Sequence, residues 1–382
     1  MVLELEASRI KGYGGILKMF FELTNEQRKC MGIPEVMSDW ELVCLEPGFY
    51  CYFQGEIIRK LILVQKEDAQ KRQKDTYREY NVTAMTKENR TILCPKTARG
   101  KEKKLTAATV GKLSCEGVCF YYSDGRISIV NENTQINLFS SHIAGMDKMS
   151  WDGLADFCNT WVKETTEEDF TELQEFVNAK RKHCKFIAGD YFRFRVDRRN
   201  WGYGRVLLDV MAMRKKGIKD WNILMGRPVI IEVFHILTKD GNLTPNELAN
   251  LPTIPSQYLM DNALYYGEYQ IIGKGPLPKS PDYPIMYGQS ISCLDRNKIM
   301  FQRGDVYREL PLETNKLIPG DFRNNGMGWQ ININASILKE CIDAGDNTPY
   351  WNRDLYYMRC DIRNPKHREA LEAVLKQFGL DY

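Results

Sequence analysis

Histidine is scarce in this chain. Its 382 residues include 4 histidines, His142, His183, His235 and His367. None stands at a metal-ligand spacing from another, and neither H-x-H nor H-E-x-x-H occurs, so the common zinc motifs are excluded. The G-x-S-x-G nucleophile elbow and the Walker A loop are missing as well. Gly12-Tyr13-Gly14-Gly15 is glycine-rich but leads to no lysine-threonine pair, and a flexible N-terminal turn accounts for it. No two cysteines have C-x-x-C spacing. No run approaches the ~18 apolar residues of a membrane span; Leu61-Ile62-Leu63-Val64 is a short buried strand at most. The first residues, Met1-Val2-Leu3-Glu4-Leu5-Glu6, lack the basic-then-apolar order of a signal peptide. Charge of one sign is also lacking: the formal balance is +3, too small to argue for nucleic acid or membrane on charge alone.

What is present fits a globular protein with real cores. A hydrophobic fraction of 43% and a charged fraction of 27% are ordinary, and the length predicts roughly two or three domains. The 11 cysteines are odd in number and run from Cys30 to Cys360. Cys115 and Cys119 come close together, but no histidine cluster accompanies them. The reading is reduced, mostly buried thiols in a cytoplasmic protein, since a secreted disulfide scaffold is shorter and more regular. Aromatics are plentiful, with Tyr 20 and Trp 7; they serve recognition surfaces and β cores alike.

The densest information lies between Lys185 and Arg205. Gly189-Asp190 is a turn pair that commonly opens a strand. Alternation follows, with Tyr191, Arg193, Arg195 and Asp197 on one face and Phe192, Phe194 and Val196 on the other. This predicts a half-buried strand. Trp201-Gly202-Tyr203-Gly204-Arg205-Val206 starts the next strand after a polar turn, as at the opening of a small barrel or sandwich.

The pattern G-D-x-F-x-F-x-V-x-x-x-x-W-G-Y-G-R-V resembles the opening of the bacterial immunity protein 26 family, found beside polymorphic toxins. Val229-Ile230-Ile231-Glu232-Val233-Phe234 and Gly267-Glu268-Tyr269-Gln270-Ile271-Ile272-Gly273 follow in the order that family would place them. The resemblance runs over about residues 186–287. It implies a small, β-rich, cytosolic protein that neutralises a partner toxin by binding it, with no cofactor. It says nothing of residues 1–185.

The organisation expected is α+β in three parts. These are a β-rich N-terminal domain over 1–148, a helical connector over 149–184, and a barrel- or sandwich-like immunity module with a C-terminal helix over 185–382. In the first part Phe49–Phe53 and Ile57–Val64 form a hairpin around Gln54-Gly55. The charge-rich stretch Glu67–Arg78 is a short solvated helix or a loop. Strands continue at 80–85, 91–94, 117–122, 126–130 and 135–139, with a hairpin turn at Asp124-Gly125. In the connector, Trp151, Leu154, Ala155, Cys158 and Val162 share one helical face. Thr166 and Asp169 make a capping box for a second helix with Phe170, Leu173, Phe176 and Val177 inward. The basic run Lys180-Arg181-Lys182-His183 reads as compensation of that helix's dipole.

In the last part, Arg214-Lys215-Lys216-Gly217 is a basic turn and Val229–Leu237 a buried strand. Thr244, Pro245 and Glu247 start a helix. Pro276, Pro278, Pro281 and Pro284 keep 275–288 extended. Arg303-Gly304-Asp305 echoes Gly189-Asp190 without amounting to a repeat. Asn364-Pro365 opens a final helix with Leu371, Val374, Leu375 and Phe378 inward, ended by Gly379.

Candidate partner-binding residues are Arg193, Arg195, Arg198, Trp201, Tyr203, Arg205, Tyr265, Tyr266 and Tyr269, because arginine, tyrosine and tryptophan dominate binding hot spots. The competing reading packs Trp201 and Tyr203 in the core and leaves the arginines solvated. Gly189, Asp190, Gly202, Gly204 and Gly273 are the motif's structural positions. No catalytic, cofactor or metal site is expected, and His235 reads as a packing histidine. The run Lys96–Lys104 is the best nucleic-acid candidate, although a solvated loop explains it, so nucleic acid is the weaker partner. Glu164, Glu167, Glu168, Asp169, Glu172 and Glu175 are an acidic face suited to a basic toxin cleft. A hydrolase of phosphoester-type substrates is the alternative activity.

Overall fold

The structure, a computed structural model, describes residues 19–70, 72–215, 228–289, 297–316, 318, 333, 335–343, 350–352 and 359–381. The glycines at 12–15 and residues 216–217 of the basic turn fall outside them, and 214–215 end the short helix Val210–Lys215. Chain contacts divide the molecule into two compact units. One holds residues 1–142 with 146–181, the other 143–145 with 182–382.

The first unit is an antiparallel sheet. Its strands are β1 (Glu41–Glu46), β2 (Phe49–Gln54), β3 (Ile57–Gln65), β4 (Thr76–Lys87), β5 (Ile92–Leu93), β6 (Lys103–Lys104), β7 (Val118–Ser123), β8 (Arg126–Asn131) and β9 (Ile136–Ser140). The order is β1-β2-β3-β4-β7-β8-β9, with β5 on β4 and β6 on β5. Tight turns set this meander. Asp124 and Gly125 both adopt positive φ, 51° and 79°, as a two-residue hairpin turn requires. β4 is longer than its apolar core predicts, because its start pairs with β7 and its end with β5. The described residues of 67–75 form no helix; Asp68 and Gln73 pair across a turn.

Helices Asn25–Cys30, Trp151–Lys163 and Glu167–Asn178 belong to this unit. The Trp161 indole N–H donates to the Cys30 carbonyl at 2.8 Å, and Trp151 packs on Tyr122 with ring centroids 4.9 Å apart. Thr166 and Asp169 make the predicted capping box. The far end differs from expectation. The helix stops at Asn178, Ala179 is extended, and no basic residue lies in the last turn. Asn131 Nδ2 donates to the Phe176 carbonyl instead, at 2.8 Å. A side-chain amide satisfies that carbonyl, and Lys180–His183 lie beyond the helix.

The second unit carries two antiparallel sheets. One orders β13-β12-β11-β10-β14, from β10 (Asp190–Arg195), β11 (Trp201–Asp209), β12 (Pro228–Phe234), β13 (Thr253–Met260) and β14 (Gln270–Lys274). The other orders β15-β16-β17, from β15 (Ile285–Gln289), β16 (Lys298–Arg303) and β17 (Val306–Pro311). Leu207, Ile230 and Tyr258 of the first sheet pack on Met286, Met300 and Tyr307 of the second. On the outer side, Ile299 and Phe301 meet Leu371, Val374, Leu375 and Phe378 of the C-terminal helix Arg368–Gln377. The result is β-rich α+β. Among the described residues the strands close no barrel, so the sandwich-like half of the expectation is the one the sheets follow.

Two further corrections concern burial and sulfur. The five-stranded sheet is covered on both faces, not one. Phe192, Phe194 and Val196 join one core with Leu338 and Cys341, and Tyr191, Trp201 and Tyr203 join another with Phe234 and Leu248. The cysteines are not all thiols either: Cys115 and Cys119 are joined by a disulfide. The described free ones are buried or half-buried, and burial pushes the Cys158 thiol up to about 12. Gly304-Asp305 is the turn of the β16–β17 hairpin, whereas Asp190 is already inside β10, so the two Gly-Asp pairs do different work.

Candidate partner-binding face

The β10–β11 hairpin explains its own sequence. Phe192 lies opposite Gly204 and Phe194 opposite Gly202. A Cβ on Gly204 would meet Phe192 Cζ at 2.3 Å, and one on Gly202 would meet Phe194 Cζ at 2.5 Å. The rings cover the glycines, so W-G-Y-G is a packing code, with the bulk supplied by the facing strand. Gly189 has φ +94°, and its carbonyl accepts from Gly275 N–H at 2.9 Å, which ties the turn to the end of β14. Asp190 is buried and its Oδ2 accepts from Ile187 N–H at 2.8 Å. Gly273 lies against Pro245.

On the opposite face two guanidinium groups gather over one indole. Arg195 Cζ lies 3.9 Å and Arg193 Cζ 4.6 Å from the Trp201 ring centroid. Arg193 also donates to Gln270 Oε1 at 3.0 Å and to the Gly241 carbonyl at 2.8 Å. Such stacking is worth about 0.5–2 kcal/mol per pair, more where water is excluded. Arg195 donates to the Arg198 carbonyl at 3.3 Å. Asp197 organises the adjoining turn. It accepts from Arg199 N–H and Asn200 N–H at 2.8 and 3.0 Å, and pairs with Lys339 at 2.7 Å. Burial alone would raise its pKa, but Lys339, Asn200 and Arg199 hold it below the usual value.

The nine candidate residues therefore separate. Tyr203 is fully buried, its hydroxyl 2.6 Å from Thr238 Oγ1. Trp201 and Tyr269 are also interior. Arg205 is buried, paired with Glu232 and donating to Tyr191 OH at 2.7 Å and the Pro276 carbonyl at 2.9 Å. Burial pushes the Glu232 carboxyl above its ordinary value against the pull of Arg205, with Asp282 adding to the rise. Arg193, Arg195, Arg198, Tyr265 and Tyr266 remain half-exposed. Tyr265 and Tyr266 are neighbours edge to face, 5.2 Å between centroids. They lie at the helical turn Asn262–Tyr265, away from the β10–β11 turn in sequence.

Other candidates are also placed. In the run 96–104, Glu102 pairs with Lys87 at 2.7 Å and Lys96 at 3.7 Å, and Lys103-Lys104 form β6. The acidic residues 167–175 lie on the helix Glu167–Asn178. No group of three or more metal-type ligands occurs among the described residues, and none of their helices is long and apolar enough to cross a membrane.

A buried ionic cluster in the first unit escaped the sequence reading. Lys60 is fully buried on β3 and donates to Glu79, to Asn81 Oδ1 at 2.9 Å and to the Pro34 carbonyl at 2.7 Å. Arg28 reaches Glu79 at 2.9 Å and Glu22 at 2.7 Å. Burial alone would raise the Glu79 pKa, but Lys60 and Arg28 bring it down to about 2. The signal was a lysine in phase with the buried Ile58, Ile62 and Val64 and a glutamate in phase with the buried Tyr77, a charge at an inward position of each strand. Every donor of Lys60 is matched, which makes the cluster a fastening of the N-terminal helix to the sheet.

The fold and face define an antiparallel β module with a closed interior and an arginine- and tyrosine-bearing exterior. The family model for immunity protein 26 matches residues 187–297, the span of β10 through β15. No curated protein and no solved structure matches the chain.

Proposed function

We propose that this chain is a cytoplasmic immunity protein that binds a cognate bacterial toxin and neutralises it by occlusion, without catalysing a reaction. The observation that carries this reading is the immunity protein 26 match over residues 187–297. In this reading residues 185–382 act as the immunity module. The half-exposed Arg193, Arg195, Arg198, Tyr265 and Tyr266 meet the toxin, and the buried Trp201, Tyr203, Arg205 and Tyr269 hold them in position. Arginine and tyrosine suit the role because each buries area while keeping directional hydrogen bonds. In the same reading residues 1–148 form a separate module.

The test is co-expression with the toxin encoded by the adjacent reading frame, scoring growth and co-purification. Growth rescue with a stoichiometric complex supports the reading. A toxic neighbour that the chain neither binds nor neutralises overturns it.

A further inference from the structure

The basic run after residue 179 has lost its ordinary explanation. The helix before it ends at Asn178 with no cation in its last turn, so dipole compensation does not account for Lys182, His183 and Lys185. These residues belong to a strap of the second unit without regular secondary structure. Cys184 N–H donates to the Tyr265 carbonyl at 2.7 Å, and Phe186 packs against the core of the five-stranded sheet. Exposure alternates along the strap: His183, Lys185 and Ile187 are exposed, Cys184 and Phe186 half-buried. Lys182 is exposed too, and Ile187 is 50% exposed. His183 stacks on Tyr265, with centroids 4.7 Å apart and planes 16° from parallel. Asp190, the carboxylate nearest in sequence, is buried and turned to Ile187 N–H. The strap is thus anchored by backbone and core contacts while its cations face solvent.

We infer that the strap Lys182–Ile187 is a docking element for an acidic face of the toxin, with Lys182 and Lys185 steering and Ile187 and His183 making the apolar centre. This deepens the immunity reading and rests on it. An exposed apolar residue among unopposed cations matches the anatomy of a protein interface, an apolar centre inside a charged rim. A nucleic acid suits it less, because bases stack on open aromatic faces and one face of Tyr265 is taken by His183. The inference also constrains the toxin. A nucleic-acid-cleaving cleft is lined by cations and would repel this strap. On a nuclease toxin, the face contacted here lies outside that cleft.

The experiment compares wild type with Lys182→Glu/Lys185→Glu and Lys182→Arg/Lys185→Arg, binding the purified toxin from the adjacent reading frame at low and at about 0.5 M salt. The residues are exposed, so melting curves should match; Lys182→Gln/Lys185→Gln serves if they do not. The charge-reversed variant should associate about tenfold or more slowly at low salt, with the difference vanishing at high salt, and the arginine variant should behave as wild type. Wild-type binding that charge reversal leaves unchanged overturns the strap and spares the immunity reading. A wild-type chain that does not bind the toxin overturns both. Salt-sensitive binding of a single-stranded oligonucleotide, lost on charge reversal, reassigns the strap to nucleic acid and overturns it as a toxin contact.

Discussion

Gly204 of β11 lies beneath the ring of Phe192 on β10: a Cβ at 204 would stand 2.3 Å from Phe192 Cζ and 2.8 Å from the Glu232 carbonyl. Gly204→Ala should therefore destabilise the second unit by about 1–3 kcal/mol, the usual effect of overpacking. Part of the loss should return in Phe192→Leu/Gly204→Ala. Urea denaturation of the single and double variants checks this; additive losses would count against the ring-on-glycine explanation.

Arg205 and Glu232 form a buried pair, so deleting one strands the other. Arg205→Met should lower stability at neutral pH by about 3–5 kcal/mol. The pH dependence has a definite sign. A carboxyl whose folded pKa is raised above the unfolded value, 4.5 for glutamate, keeps full stability below that value and loses it as pH rises through the folded pKa. Removing Arg205 raises the folded pKa further. The deficit should therefore shrink on acidification, which a series of melts from acid to neutral pH would show.

Glu79 has the opposite sign. Its folded pKa, about 2, lies below the ordinary 4.5, so its contribution is present above 4.5 and is lost as pH falls toward 2. Glu79→Gln should lose about 3–5 kcal/mol at neutral pH, because Lys60 stays buried without a counter-charge and Arg28 keeps only the half-exposed Glu22. It should also show a flatter acid limb than wild type.

Interior and half-exposed members of the arginine–aromatic group should separate experimentally. Tyr203→Ala should cost about 3–5 kcal/mol of folding stability, while Tyr203→Phe loses only the hydroxyl's contacts with Thr238 Oγ1 and Leu243 N–H. Arg193→Ala and Tyr265→Ala should weaken toxin binding by about 2 kcal/mol, roughly thirtyfold in Kd, at smaller changes in melting temperature. Calorimetry on variants with matched melting curves makes the comparison.

Local chemistry was legible wherever neighbours in sequence decide the outcome. The Asp124-Gly125 turn, the Thr166–Asp169 and Thr244–Glu247 caps, and the final apolar helix face all stand as their residues predict. What failed depended on distant partners. The end of the helix Glu167–Asn178 is satisfied by Asn131, which no local pattern could reveal. The two-residue period of β10 correctly separated Phe192 and Phe194 from Tyr191 and Arg193. It could not say that Leu248 would cover the second face, where Phe234 of β12 joins Tyr191 and Tyr203.

The sequence by itself determined the β-rich α+β class, the glycine–aromatic hairpin and its immunity protein 26 resemblance, because strand period, turn residues and motif order are local properties. Only the tertiary structure decided which arginines and tyrosines are interior, that Lys60 and Glu79 meet, and that Lys182 and Lys185 project from an anchored strap. Burial and ion pairing depend on what the rest of the chain brings to each face, and spacing along one strand carries no record of it.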